Sequence, residues 1–332
     1  KYFSYCGYLM HRTIENETRA IWIDLADAIN NLSINTQAVD GSAGSHFNQN
    51  TVIVSTADKG INNRICTAAQ SVGYSQDLVN TFVLPSSILN LGLDDDCDAF
   101  NFFLRASVFE NETAGIEYVK NPPLTVLRVT PKEKVALDPY EVPDLRIRGT
   151  GKTELALTPA VDDLRDALLA KYSNYEATEL EVNKMLPEGY EGMQRGICVA
   201  GPIRDALYTW TGGTISFPPC PNLFQAQAEQ APKGVTLAED EFIVVYGVNH
   251  EATGKAAFSS FTVYGADIWN GVGGVTSDSY LGTATEYLPD NPDAAYLYAY
   301  KISRNTNEEN CFSVPGPGLK AYGIELDQPI FI

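Results

Sequence analysis

Short apolar runs, closed by Gly, Pro, Asn and Asp, punctuate most of this chain, and their residues alternate more often than they recur at helical spacing. In residues 1–130 the runs predict strands at Tyr2–Leu9, Thr51–Ser55, Thr81–Leu84 and Phe100–Phe109, with another at Leu124–Val129 after Pro122-Pro123. One helix is expected between them. Thr18 is placed to cap it, and Ile21, Trp22, Leu25, Ala26 and Ile29 recur at helical spacing. Asn35–Asn50, rich in Gly, Ser and Asn, reads as a loop.

Residues 131–195 break this pattern. Pro131, Pro139 and Pro143 mark a crossing segment, and Thr158-Pro159 predicts a helix start, with Val161, Leu164, Leu168 and Tyr172 on one face. A second short helix is expected over Ala177–Met185, so the region reads as a helical linker. Residues 196–332 return to strands at Gly196–Ala200, Ala206–Thr211, Phe242–Tyr246, Phe258–Tyr264, Ala295–Ile302 and Ile324–Ile332, separated by turns such as Pro289–Pro292 and Pro315–Gly318. The expected fold is therefore mainly β. Two jelly-roll or β-sandwich-like domains, 1–130 and 196–332, are joined by a helical connection.

Composition supports folded, strand-rich domains. Among 332 residues, 44% are hydrophobic, and 18 Tyr and 14 Phe stand against 3 Met. A formal charge of −19 without a Lys/Arg cluster argues against nucleic acid and anionic membrane partners. No run of eighteen apolar residues is present, so a membrane-spanning segment is not expected. The chain does not begin with Met and contains no signal peptide, which reads as a processed or partial chain whose targeting segments lie elsewhere.

Six cysteines, Cys6, Cys66, Cys97, Cys198, Cys220 and Cys311, form no CxxC, which leaves zinc ribbons and redox pairs without support. Their even number and wide spacing suit disulfides in an oxidising compartment. Cys198–Cys220, bracketing a strand and a proline-rich turn, is the first expected pair, and Cys66–Cys97 the second. Asn16, Asn31 and Asn111 head Asn-X-Ser/Thr glycosylation sequons. A secreted, extracellular or cell-surface glycoprotein is the expectation.

Lys1-Tyr2-Phe3-Ser4-Tyr5-Cys6-Gly7-Tyr8, Thr51-Val52-Ile53-Val54-Ser55-Thr56 and Phe102-Phe103-Leu104-Arg105 together resemble the jelly-roll repeats of secreted, largely uncharacterised bacterial proteins. In those proteins a strand of the type R-Y-F-S-x-x-x-Y opens the unit and an F-x-L-R strand closes it. Lys1 stands where the family usually has Arg, and Leu9 replaces the Asp that commonly follows the second Tyr. The resemblance covers the first third of the chain and implies a fold and an extracytoplasmic home, not a chemistry.

Candidate chemistry is concentrated in Glu241–Tyr264, where two strand-like runs flank Asn249, His250, Glu251, Thr253 and Lys255. These residues suit acid–base work or sugar binding, and equally a strand-end turn whose side chains satisfy loop backbone groups. Arg204, Asp205, Tyr208 and Trp210 form a second polar–aromatic cluster, able to cradle a planar ligand or to pin a strand. Asp94, Asp95, Asp96 and Asp98 offer oxygen ligands dense enough for calcium as a cofactor, although such a run is also a solvated acidic loop. Gly149-Thr150-Gly151-Lys152-Thr153 resembles the end of a phosphate loop. Arg146 occupies the position of the required first glycine, and the helix start is expected only at Pro159, so a polar turn is the better reading.

No nucleophile elbow, HExxH or other catalytic motif is present, and an enzyme is the less favoured class. The first expectation is an extracellular structural or adhesive protein, self-assembling as a surface layer, appendage or filament. A carbohydrate-binding module with an extracellular glycan partner is the second, and a polysaccharide hydrolase or lyase the third.

Overall fold

The computed structural model describes residues 2–36, 47, 49–133, 135–144, 149–184, 189–199, 201, 208–212, 234–267, 270–305, 309–317 and 323–332. Arg204, Asp205 and Cys220 lie outside them. Strands hold 31% of the chain and helices 22%, arranged as several sheets with few helices. The chain divides into two compact units, Lys1–Arg146 with Glu188–Ala206 and Pro218–Leu223, and Ile147–Pro187 with Leu207–Phe217 and Phe224–Ile332. The expected linker 131–195 is thus shared between the two.

In the first unit β1 (Tyr2–Ile14) turns directly into β2 (Glu17–Asp24). Here the structure replaces the expected helix with a strand. Glu15 and Asn16 both adopt positive φ, 52° and 66°, the geometry a two-residue hairpin turn requires, and Ile14 pairs with Glu17. Once the chain reverses there, Ala20, Ile21 and Ile23 are buried as a strand rather than as a helix face. After β3 (Ile29–Asn30), β4 (Val52–Thr56) leads into α1 (Lys59–Ser71), then β5 (Val79–Val83), which pairs parallel with β4. The pattern did not predict α1, because its buried residue is the polar Asn62. Its one local signal is the N-cap Asp58, whose Oδ1 accepts from Ile61 N at 2.8 Å. The second carboxylate oxygen accepts from Asp138 N at 2.7 Å, and these amide donors hold the Asp58 pKa below the ordinary carboxylate value.

β6 (Ala99–Ser107) pairs antiparallel with the whole first part of β1, from Tyr2↔Ser107 to His11↔Ala99. α2 (Glu112–Lys120) follows, capped by Asn111. Leu124–Val129, expected as a strand, has no ladder partner and is fully exposed among the described residues. One face of the β1 sheet carries the core of this unit, including Leu9, Ile21, Ile23, Leu25 and Phe82, closed by Met193, Ile197 and Val199 from a short helix, Gly189–Arg195, and the chain after it.

In the second unit α3 runs over Glu154–Lys171. It begins earlier than Thr158-Pro159, because Thr153 is the N-cap: its Oγ1 accepts from Ala156 N at 3.0 Å. Pro159 consequently sits inside the helix, within its first turns. Instead of a helix over Ala177–Met185 there is β7 (Val182–Lys184), paired with β8 (Thr209–Thr211), and no strand forms over the described part of Gly196–Ala200. β9 (Phe242–Val248), β10 (Ser260–Gly265), β11 (Gly271–Thr276), β12 (Leu297–Ser303), β13 (Cys311–Ser313) and β14 (Ile330–Phe331) complete the unit. β9 pairs with β12 rather than with β10, which lies in a sheet with β11 and β14. The period-two alternation of β9 and β12 makes both faces of their sheet apolar. Val244, Tyr246, Leu297 and Ala299 pack on Leu157, Ala160, Leu164 and Leu168 of α3, while Ile243, Val245 and Ile302 meet Val263 and Ile330 on the other side.

Candidate functional site

Asn249, directly after β9, starts the polar connection but is wholly buried. Its Oδ1 accepts from Glu251 N at 3.0 Å and Ala252 N at 3.1 Å, and its own N–H donates to Tyr296 O at 2.7 Å. This is the side-chain turn that Asn makes well. The chain then closes on itself. Lys255 N and Ala256 N both donate to His250 O, Thr253 N to Asn249 O, and Gly254 turns at φ 74°. Thr253 is buried as well.

The start of α3 closes over this turn. Thr150 N donates to Thr253 O at 2.8 Å. Gly149, at φ 113°, lies so close that a Cβ there would stand 3.0 Å from Thr253 O and from Lys255 Cγ. The phosphate-loop-like string and the Asn249–Lys255 connection, far apart in sequence, are thus one locus. Glu154 joins them: Lys255 Nζ donates to Oε2 at 2.9 Å, and His250 Nδ1 stands 3.2 Å from Oε1. Lys152 is held apart by Asp293 Oδ1 at 2.8 Å. Both cations therefore face carboxylates, an arrangement without the surplus positive charge a phosphate would need.

The hydrogen bond from Lys255 is the main cause that lowers the Glu154 pKa. Burial lowers that of His250, outweighing the opposite pull of Glu154, so the imidazole is neutral at neutral pH. The neutral imidazole, with Nδ1 beside Glu154, keeps one ring nitrogen able to accept a proton, which a general base requires. Glu251 is displaced upward by burial, although Ser259 N donates to its Oε1 at 2.6 Å. Glu154 was not among the sequence candidates. Its signal was the capping threonine before it, which places residue 154 in the first helical turn.

Folding therefore favours the uncharged His250, and the unfolded chain, at the ordinary value of 6.5, takes the proton first. This contribution to stability is complete above about 6.5 and declines as pH falls below it. Urea midpoints are expected to fall as pH drops below about 6.5, above the main range of the carboxylates. His250→Asn is expected to flatten that slope, and an equal slope in the variant counts against the assignment.

The other candidates disperse. Tyr208 is half-buried, and Trp210 is only 2% exposed, its ring edge-on to Phe331 at 5.8 Å. Trp210 is core rather than an open stacking platform. Asp94, Asp96 and Cys97 bring ligand atoms within 4.8 Å of one another on an exposed turn, and Asp95 is exposed beside them. Asp98 is withdrawn from that group: it is buried and bonded to Arg12, with Nε to Oδ1 at 2.9 Å and Nη2 to Oδ2 at 2.5 Å. No disulfide forms among the described residues. Cys66 and Cys97 carry separate free thiols, which corrects that pairing, whereas Cys198 is buried and its expected partner Cys220 lies outside the described residues. Asn16 is exposed at the hairpin tip, Asn31 is half-buried, and Asn111 is exposed while its Oδ1 caps α2.

Comparison with protein-family models, with curated proteins and with solved structures returned no match. No helix among the described residues is long and apolar enough to cross a membrane.

Proposed function

We propose that this chain is an extracellular structural or adhesive protein, built of jelly-roll or sandwich-type β units, that assembles with copies of itself into a layer, appendage or filament. One observation carries the reading: among the described residues the first unit exposes an apolar surface. Phe109, Ile116 and Val119 line an open groove of about 500 Å3 along α2, and Val126 and Leu127 beyond it are 84% and 78% exposed. Apolar surface of this kind marks an interaction site in a stable protein. The polar connection supports the same reading, since most of its groups are engaged within the fold, and Trp210 has no open face to offer a sugar ring. The resemblance of the first third of the chain to secreted jelly-roll repeats points the same way.

The hydrolase or lyase reading draws on His250 and its carboxylate. On that reading the neutral His250 would accept a proton, from an attacking water in a hydrolase or from a substrate carbon in a lyase, and His250→Ala would abolish turnover.

Sedimentation and electron microscopy of the full chain test the assembly. Ordered oligomers are expected. A protein that stays monomeric at high concentration sinks the proposal.

A further inference from the structure

β6 has the composition of an inner strand and the position of an outer one. Its run Ala-Phe-Asn-Phe-Phe-Leu puts apolar residues on both faces, as strands covered on both sides do. Phe102 and Leu104 are opposite Gly7 and Tyr5, while Phe103 is opposite Cys6 on the other face. β1 occupies one edge, and on the other no strand lies beside Ala99–Leu104 among the described residues. Phe102, Phe103 and Leu104 remain 43%, 36% and 37% exposed. Folded proteins normally guard such an edge with Lys, Pro or a bulge. Here Ala99–Leu104 contains neither Lys nor Pro, the ladder's one irregularity, at Leu9/His11, lies on the β1 side, and the Arg105 guanidinium is turned onto Tyr8 Oη at 2.8 Å.

The same chain carries an extended segment with no sheet. Pro122-Pro123 and Pro131 bound Leu-Thr-Val-Leu-Arg-Val-Thr, and Thr125–Thr130 form no backbone hydrogen bond among the described residues. Alternation puts Leu124 and Val126 on one side and Leu127 and Val129 on the other, so this segment is also apolar on both faces. Its charge is the reverse of the chain's. Leu124–Lys132 carries Arg128 and Lys132 and no carboxylate, in a protein of net charge −19, while Lys120 before it is paired with Glu117 at 3.6 Å and Glu133 follows directly. β6 is flanked by exposed carboxylates, Asp94, Asp95 and Asp96 before it and Glu110 and Glu112 after it. An antiparallel alignment of the segment with β6 brings Arg128 and Lys132 toward the triple aspartate.

We infer that Leu124–Thr130 of one copy adds as a strand to the open edge of β6 in a second copy. The inference rests on the assembly reading above and names its contact. Each molecule carries this donor segment and this acceptor edge. Reciprocal exchange therefore closes a dimer, and head-to-tail exchange builds a filament.

Consecutive residues of a strand point their N–H groups to opposite sides, so Val126→Pro with Leu127→Pro must remove a ladder donor whichever side faces β6. Neither amide is bonded to a described residue of the single chain, so the monomer's melting temperature is expected to stay unchanged. Sedimentation equilibrium of the double variant is expected to show association at least roughly tenfold weaker, a loss of about 1.4 kcal/mol or more. Hydrogen exchange of wild type is expected to show Thr125–Thr130 protected in the oligomer and open in the monomer. Added salt and Arg128→Glu with Lys132→Glu are expected to weaken association too. If the double proline variant assembles like wild type, the strand contact is wrong while the assembly reading stands. If wild type is monomeric with the segment open, both fall. Protection of the segment in a monomer would mean that it closes its own β6, which also overturns the inference.

Discussion

Replacing Arg12 by alanine is expected to cost the first unit about 3–5 kcal/mol, the range for removing one partner of a buried ion pair. The Asp98 side chain is fully enclosed, whereas that of Arg12 is 18% exposed. The guanidinium meets both carboxylate oxygens and also donates to Ile88 O at 2.7 Å. Without it, Asp98 keeps one backbone donor, Asn90 N at 2.8 Å, for a full negative charge. The reverse truncation, Asp98→Ala, should cost less, because Arg12 retains Ile88 O and access to water. Arg12→Lys should fall between them, since an ammonium cannot reproduce the two-pronged contact. Equilibrium urea unfolding of the three variants gives the order. A loss below about 1 kcal/mol for Arg12→Ala, typical of an exposed pair, would mean that water reaches Asp98.

Trp210→Ala is expected to be comparably damaging, about 3–5 kcal/mol, through the cavity it leaves. The indole lies edge-on to Phe331, which stacks on Tyr264 at 5.1 Å, and Ala266 closes the same cluster. These contacts join β8 to the β10–β14 sheet, so the loss should appear as a lower melting temperature of the second unit. Trp210→Phe should restore part of it. A variant with unchanged melting temperature and lost glycan affinity would return Trp210 to the surface role that its burial argues against.

The legible parts of this fold are those whose signal sits in one window of sequence. β1, β4, β5, β6, β9, β10 and β12 lie where alternating or continuous apolar runs predict strands, because the side-chain period of a strand is local. α3 was legible in its apolar face but not in its start, since two threonines offered capping and only the backbone geometry chose Thr153. β2 was misread because Ile21, Trp22 and Leu25 fit a helix face as well as a strand. The reversal at Glu15–Asn16 decides it, without the glycine that usually advertises such a turn. α1 was missed because Asn62, its buried residue, hydrogen-bonds Thr81 Oγ1 from another element.

Of the candidate site, the sequence by itself determined that polar residues gather between two apolar runs and that Asn249 starts a turn. It also determined the acidity of the chain and its strand-rich character, both of which follow from composition and short-range sterics. Only the tertiary structure decided that β9 pairs with β12, that Glu154 lies between His250 and Lys255, that Asp98 belongs to Arg12 rather than to its neighbouring aspartates, and that Trp210 faces inward. The physical reason is common to all four. Burial and ion pairing depend on which distant residue arrives within a few ångströms, and the energy of a charge or an indole is set by that neighbour, not by the residues beside it in the chain.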